Sequence, residues 1–289
     1  MEKNNFKSKI YAKIDELPTL PTVIHQLMEL LENPKTSAND IEKVIAHDAP
    51  LTANILKVAN SAYYGFPQEI SELGRAIALL GFNMVKTLAL SVGIINNISG
   101  TKKQSFFSEK QLWIHSLSVG TGMKILAEKS NRQKDAESLF IVGLLHDIGK
   151  MVLSRFFPDH LARVLKNDKK DEGLLFYQKE RKTIGIDHGE IGAMLLERWK
   201  FPYNITDCVA FHHEENVPEH INGPNVGILR LADAISHELG MGDSANIFPP
   251  LTEEADMIIT GINNAVLEEV KQEVDKKRDG INAFFEAIT

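Results

Sequence analysis

At 289 residues, 43% hydrophobic and 25% charged, the chain has the length and composition of one large or two compact globular domains. Its net charge of -7 is spread along it: residues 1–100 hold 9 Lys/Arg against 10 Asp/Glu, and the remainder 23 against 29. Neither part has the basic excess of a nucleic-acid binder. The single cysteine, Cys208, excludes a disulfide framework and suits a reducing compartment, which points to the cytoplasm.

The opening Met1-Glu2-Lys3-Asn4-Asn5 lacks the regions of a signal peptide. From there the apolar residues recur at helical spacing, and strict alternation is nearly absent, so the expected fold is all-α. Val23, Leu27, Leu30 and Leu31 share one helical face, with Pro34 closing that helix. Asn39 and Asp40 are candidate caps for a helix over 41–47, and Pro50 suits the first position of the next, over 51–60. A turn at Tyr63-Tyr64-Gly65-Phe66-Pro67 precedes helices over 71–80 and 84–95. The apolar run from Leu88 to Ile98 is broken by Ser91, Gly93 and Asn96 and falls short of the roughly 20 residues a bilayer span takes. The polar stretch 96–108 sets a boundary between an N-terminal helical lobe, 1–100, and a second lobe, 101–289. Helices are expected over 109–129, 134–156, 187–199, 203–212 and 224–239, with two more after Pro249-Pro250.

The chemistry concentrates in the second lobe. Leu145-His146-Asp147-Ile148-Gly149-Lys150 sits in an apolar setting of Ile141, Val142 and Leu144. A His-Asp step is costly there unless it is paired or bound to metal. Imidazole and carboxylate hold borderline and hard divalent ions, which polarise phosphoryl oxygens and activate water. His115, His188, His212-His213 and Asp233 supply more such groups at wide spacing. Each has a plainer reading: His115 as a satisfied core histidine, and His212-His213 as caps of helix-end carbonyls. His188 follows Asp187, the better N-cap, and Asp233 lies in a strongly apolar run. Asp147 is placed to bridge two ions. Lys150 either meets a phosphate oxygen or is a surface lysine paired with an acid. His47-Asp48 has no such company and is assigned a structural or surface role.

Beyond these residues, the chain resembles the HDOD family, a branch of the HD-domain superfamily related to HD-GYP proteins. The resemblance begins at Leu17-Pro18-Thr19-Leu20-Pro21 and runs from about residue 15 to 240. It includes Ile45-Ala46-His47-Asp48-Ala49-Pro50-Leu51-Thr52, Leu56-Lys57-Val58-Ala59-Asn60-Ser61-Ala62-Tyr63-Tyr64-Gly65 and Arg75-Ala76-Ile77-Ala78-Leu79-Leu80-Gly81. Leu144-Leu145-His146-Asp147-Ile148-Gly149-Lys150 is shared across the wider superfamily. The resemblance implies a multi-helix HD-type bundle after an N-terminal helical lobe, and a bacterial signalling or regulatory role. His115, His146, Asp147 and Asp233 match the mononuclear metal set of catalytic HD domains. His188, His212 and His213 match the added ligands of two-metal HD-GYP sites. After them comes Glu214-Glu215-Asn216-Val217-Pro218, in place of the Asp-Gly-x-Gly-Tyr-Pro segment of HD-GYP proteins.

The expectation is a regulatory protein with an HD-type site for one or two divalent ions. Iron or manganese is favoured because the ligand set has no thiolate. The alternative is a metal-dependent phosphohydrolase acting on a nucleotide or other phosphate ester, with Asp147 and Lys150 as catalytic residues. The expected partner is a signalling protein or a small phosphate-containing ligand, not nucleic acid or membrane.

Overall fold

The computed structural model describes residues 2–17, 19–32, 35–98, 107–166, 173–246 and 252–288. They form helices and no strand. In chain order these are α1 (Glu2–Asp15), α2 (Thr22–Glu32), α3 (Ala38–Ala46), α4 (Ala49–Ala59), α5 (Leu73–Leu80), α6 (Phe82–Ile98), α7 (Glu109–Lys129), α8 (Ala136–Leu145) and α9 (Ile148–Phe156). Then follow α10 (Pro158–Leu165), α11 (Phe176–Thr183), α12 (His188–Arg198), α13 (Tyr203–Phe211), α14 (Gly223–Glu238), α15 (Glu254–Thr260), α16 (Asn264–Lys276) and α17 (Arg278–Ile288). No single helix among the described residues is long and apolar enough to cross a membrane.

The helices sort into two compact units, Met1–Leu17 with Lys102–Asp275, and Pro18–Thr101 with Lys276–Thr289. This differs from a single cut at residue 100, because both chain ends cross over. Phe6, Ile10 and Ile14 recur at helical spacing and are buried where α1 packs on α12 in the larger unit. Ile281, Phe284, Phe285 and Ile288 do the same for α17, which packs on α4 and α6 in the smaller one. Side chains far apart in sequence complete each core, and periodicity carries no record of that.

Within the smaller unit, local polar chemistry fixes the helix starts. Ser37 caps α3 in a capping box with Asp40, so Asp40 is the third helical residue and not the cap. Asp48 caps α4 by accepting from Leu51 N, which gives the His47-Asp48 step its structural role. Pro34 and Pro249-Pro250 lie outside the described residues, as does most of the expected boundary at 96–108.

The larger unit is built around α7, whose flanks pack on α8 and α14. Two glycine positions set the spacing of its helices. A Cβ on Gly143 would lie 2.5 Å from Gly120 N, so α8 reaches the backbone of α7. A Cβ on Gly149 would lie 2.0 Å from His188 O, so α9 reaches that of α12. The expected single helix over 134–156 is broken at His146-Asp147 into α8 and α9. There His146 Nδ1 donates to Gly143 O at 2.7 Å, and Asp147 takes φ -96°, ψ 9°. The apolar run continues through the break, so periodicity does not reveal it. Helices α10 and α11 were not expected, and three helices close the chain instead of two.

Candidate metal centre

His115 projects from the buried middle of α7, and His146 and Asp147 form the α8–α9 break. His188 is the first residue of α12, freed for a tertiary role because Asp187 caps that helix by accepting from Glu190 N at 3.0 Å. His212 and His213 follow the last turn of α13, and Asp233 lies on α14. The structure brings all seven together. His115, His146, Asp147, His188, His212 and Asp233 are buried, and His213 is half-buried.

Asp147 joins two groups of imidazoles. Its Oδ2 lies 3.5 Å from His146 Nε2 and 4.0 Å from His115 Nε2. Its Oδ1 lies 3.1 Å from His188 Nε2. Asp233 Oδ1 adds to the first group, 3.0 Å from His115 Nε2 and 3.9 Å from His146 Nε2. In the second group, His188, His212 and His213 offer nitrogens within 4.8 Å of one another, with His213 Nε2 2.8 Å from His188 Nε2.

The hydrogen bonds on the far side of the rings assign their protons. His146 Nδ1 donates to Gly143 O and His212 Nδ1 to Val209 O, each at 2.7 Å. His188 Nδ1 donates to Glu180 Oε2 at 2.5 Å. In the neutral tautomers these bonds fix for His146 and His212, Nε2 presents a lone pair to the centre, whereas His188, raised to about 9 beside Glu180, carries a proton on each nitrogen in the metal-free protein. His212 Nε2 is buried with no hydrogen-bond partner, and the equally buried His115 Nε2 and Asp233 Oδ1 have only the 3.0 Å contact with each other at that range. Orphans of this kind are rare and call for an explanation. Imidazole nitrogens and carboxylate oxygens that converge in this way fit a cation. The Glu180–His188 pair has the form of the carboxylate–histidine support that would orient a metal-bound imidazole.

Electrostatics agree. Burial depresses His212 to about 3 and His213 well below the usual range, so both are neutral at pH 7. Burial alone would raise Asp147, but His146, Lys150 and His188 outweigh it and hold the carboxyl well below its ordinary value. His188 is the exception: burial opposes its charge, yet Glu180 beside it raises it to about 9.

Lys150 is buried, not a surface lysine. Its Nζ donates to Asp147 Oδ2 at 2.9 Å and to Ser244 O at 3.0 Å, and stands 5.0 Å from the centre of the Phe176 ring. Two neighbours escaped the sequence reading. Glu180 belongs to α11, and only the tertiary fold brings it to His188. His237 Nε2 lies 3.4 Å from Asp233 Oδ1. Its spacing of i,i+4 from Asp233 was the available signal. A cavity of about 110 Å³ is lined by His212, His213 and Asp233, together with Glu214, Glu215, Glu253, Asp256 and Arg230.

The HDOD domain profile matches residues 17–215. The chain belongs to the HDOD family. An HDOD domain protein of unknown function from Geobacter sulfurreducens has the same fold, with a TM-score of 0.83 at 22% identity over 99% of this chain and 97% of that one. A protein from Shewanella amazonensis SB2B, provisionally named a phosphohydrolase, gives 0.76 at 22% identity over 97% and 98%. An uncharacterised protein from Treponema pallidum (strain Nichols) is 28% identical over 211 residues, 73% of this HDOD chain and 40% of its own length. The chain thus spans about two fifths of that relative.

Proposed function

We propose that this HDOD protein is a regulatory protein whose larger unit binds two divalent metal ions. The observation that carries the reading is the division of Asp147. One oxygen faces His115 and His146, the other faces His188, and the buried nitrogens of the cluster include His212 Nε2, which has no hydrogen-bond partner. His115, His146, Asp147 and Asp233 would hold one ion, and Asp147, His188, His212 and His213 the other. The set is nitrogen and oxygen only, with Cys208 buried on α13 and absent from it, which favours iron or manganese. Ions held there would polarise a phosphoryl oxygen and make nearby water more acidic.

The acidic lining of the cavity supports regulation over turnover of a polyanionic nucleotide. The cavity of about 110 Å³ adjoins one of about 440 Å³ that shares Tyr177, His213, Glu214 and Glu215 and adds Arg181, a combined space of the size that encloses a small ligand. Four of its lining residues, Glu214, Glu215, Glu253 and Asp256, are carboxylates that repel a polyanion. On this reading the recognised ligand is a small phosphate-containing molecule, and the output would pass to a signalling partner.

Phosphohydrolysis is the second reading, favoured by the buried Lys150 ammonium against Asp147. Lys150 would keep the carboxylate ionised and its oxygens oriented. Elemental analysis of purified protein should find two ions per chain, lost in Asp147→Ala; metal-free protein would end both readings. Incubation with p-nitrophenyl phosphate, bis(p-nitrophenyl) phosphate and a cyclic dinucleotide separates them. Turnover abolished in His146→Ala selects the enzyme, and silence on all three selects the regulator.

A further inference from the structure

The turn that carries His212 and His213 is held by a residue outside the ligand set. Arg230 lies on α14, three residues before Asp233. Its Nε donates to His212 O at 2.8 Å, and its Nη2 to Phe211 O at 3.4 Å and to Glu214 O. Its Nη1 donates to Asp256 Oδ1 at 3.2 Å, so the α15 carboxylate anchors the far side of the guanidinium. The carbonyls of Phe211 and His212 belong to the end of α13, where a helix runs out of backbone donors and carries partial negative charge. One planar fork answers three carbonyls and a carboxylate at once. A lysine ammonium, with a single nitrogen, has no such reach.

We infer that Arg230, locked by Asp256, is a positioning residue for the second metal position. It fixes the main chain at 211–214 and thereby holds the His212 and His213 rings beside His188. The assignment rests on the two-ion reading and adds that the second position depends on this clamp. The first position does not share that dependence: His115 and His146 stand on other helices, and Asp233 is fixed by α14 itself.

The test titrates the full-length, metal-stripped protein with Mn(II) by calorimetry. The electron paramagnetic resonance signal of a coupled manganese pair is followed in parallel. Wild type should bind two ions and show the pair signal. Arg230→Gln should keep the first ion at wild-type affinity, bind the second about 10- to 100-fold more weakly and lose the pair signal at two equivalents. Arg230→Lys should recover only part of the loss, and Asp256→Ala should shift the second ion in the same direction. Asp256→Ala also serves as the second variant should the arginine substitutions not fold, with far-UV circular dichroism as the check. Both ions bound as in wild type, or both weakened equally, would overturn the positioning role. A wild type that takes up fewer than two ions overturns the two-ion reading beneath it, a result visible before any variant is made.

Discussion

At the scale of single residues, the centre is a set of buried groups whose protons are displaced from their ordinary positions. Burial holds His212 at about 3 and His237 at about 4, and keeps His146 and His213 below the ordinary 6.5. Unfolding exposes these rings, which then take up protons below 6.5. Their contribution to stability is whole above 6.5 and is lost as the pH falls toward 3. His188 runs the other way. Although burial opposes its charge, Glu180 raises it to about 9, so its contribution is whole below 6.5 and disappears as the pH climbs through 9. Metal-free protein should therefore be most stable near pH 6.5. Each proton taken up on unfolding steepens the acid limb by about 1.4 kcal/mol per pH unit. Urea melts in chelator from pH 4.5 to 9 measure the curve, and a monotonic rise to pH 9 would refute it. His212→Gln, which removes one of these titrations, should flatten the acid limb by one proton.

Helices bring the candidate ligands together only because some of them touch backbone to backbone. A Cβ at residue 149 would sit 2.0 Å from His188 O and 2.9 Å from Gly192 N, atoms that no rotamer change moves aside. Gly149→Ala must push α9 off α12, and with it Asp147 away from His188. Overpacking of this kind costs about 1–3 kcal/mol, and the rigid neighbour puts this case at the upper end. The expected result is a lower urea midpoint at unchanged slope, together with weaker binding of the second ion. A loss under about 0.5 kcal/mol would mean that the contact yields easily. Elements of this kind were partly legible in the sequence. Helix α7 matches its expected bounds because Ser108 caps its start and polar residues follow Lys129. The starts of α12, α13 and α14 were readable from Asp187, Pro202 and Pro224. The α8–α9 break was not, since it depends on how the His146 ring bonds and on packing around Asp147. Helix α11, with the sequence Phe176-Tyr177-Gln178-Lys179-Glu180-Arg181-Lys182-Thr183, has too few apolar residues to announce itself. The candidate ligands were legible because imidazoles and carboxylates stand out in apolar surroundings. Glu180 and Arg230 were not, because each acts through a partner that only the fold supplies.

For the molecule as a whole, the proposed centre would be a source of stability as well as of chemistry. All seven candidate ligands belong to the larger unit, and they come from five separate segments of it: α7, the α8–α9 break, α12, the end of α13, and α14. An ion that binds only when those segments are assembled stabilises the folded state by mass action. At a free concentration 100 times its dissociation constant, one such ion adds about 2.7 kcal/mol. For a protein of this size that is roughly 4–5 °C in melting temperature. Without the ion, the converging nitrogens and carboxylate oxygens are left facing one another, so the metal-free protein begins from a weakened state. Calorimetry in chelator and then in excess Mn(II) should show a rise of at least that size. Asp147→Ala should show none, since both positions share its carboxylate. Lys150→Met separates the metal from the charge it sits beside. Removing the ammonium leaves Asp147 with one positive neighbour fewer, so the metal-free variant should melt lower than wild type. Its metal-induced rise should be undiminished, because Lys150 contributes no ligand. A rise that vanishes in Lys150→Met while metal content stays at two would show instead that the ammonium, and not the ions, holds the centre together.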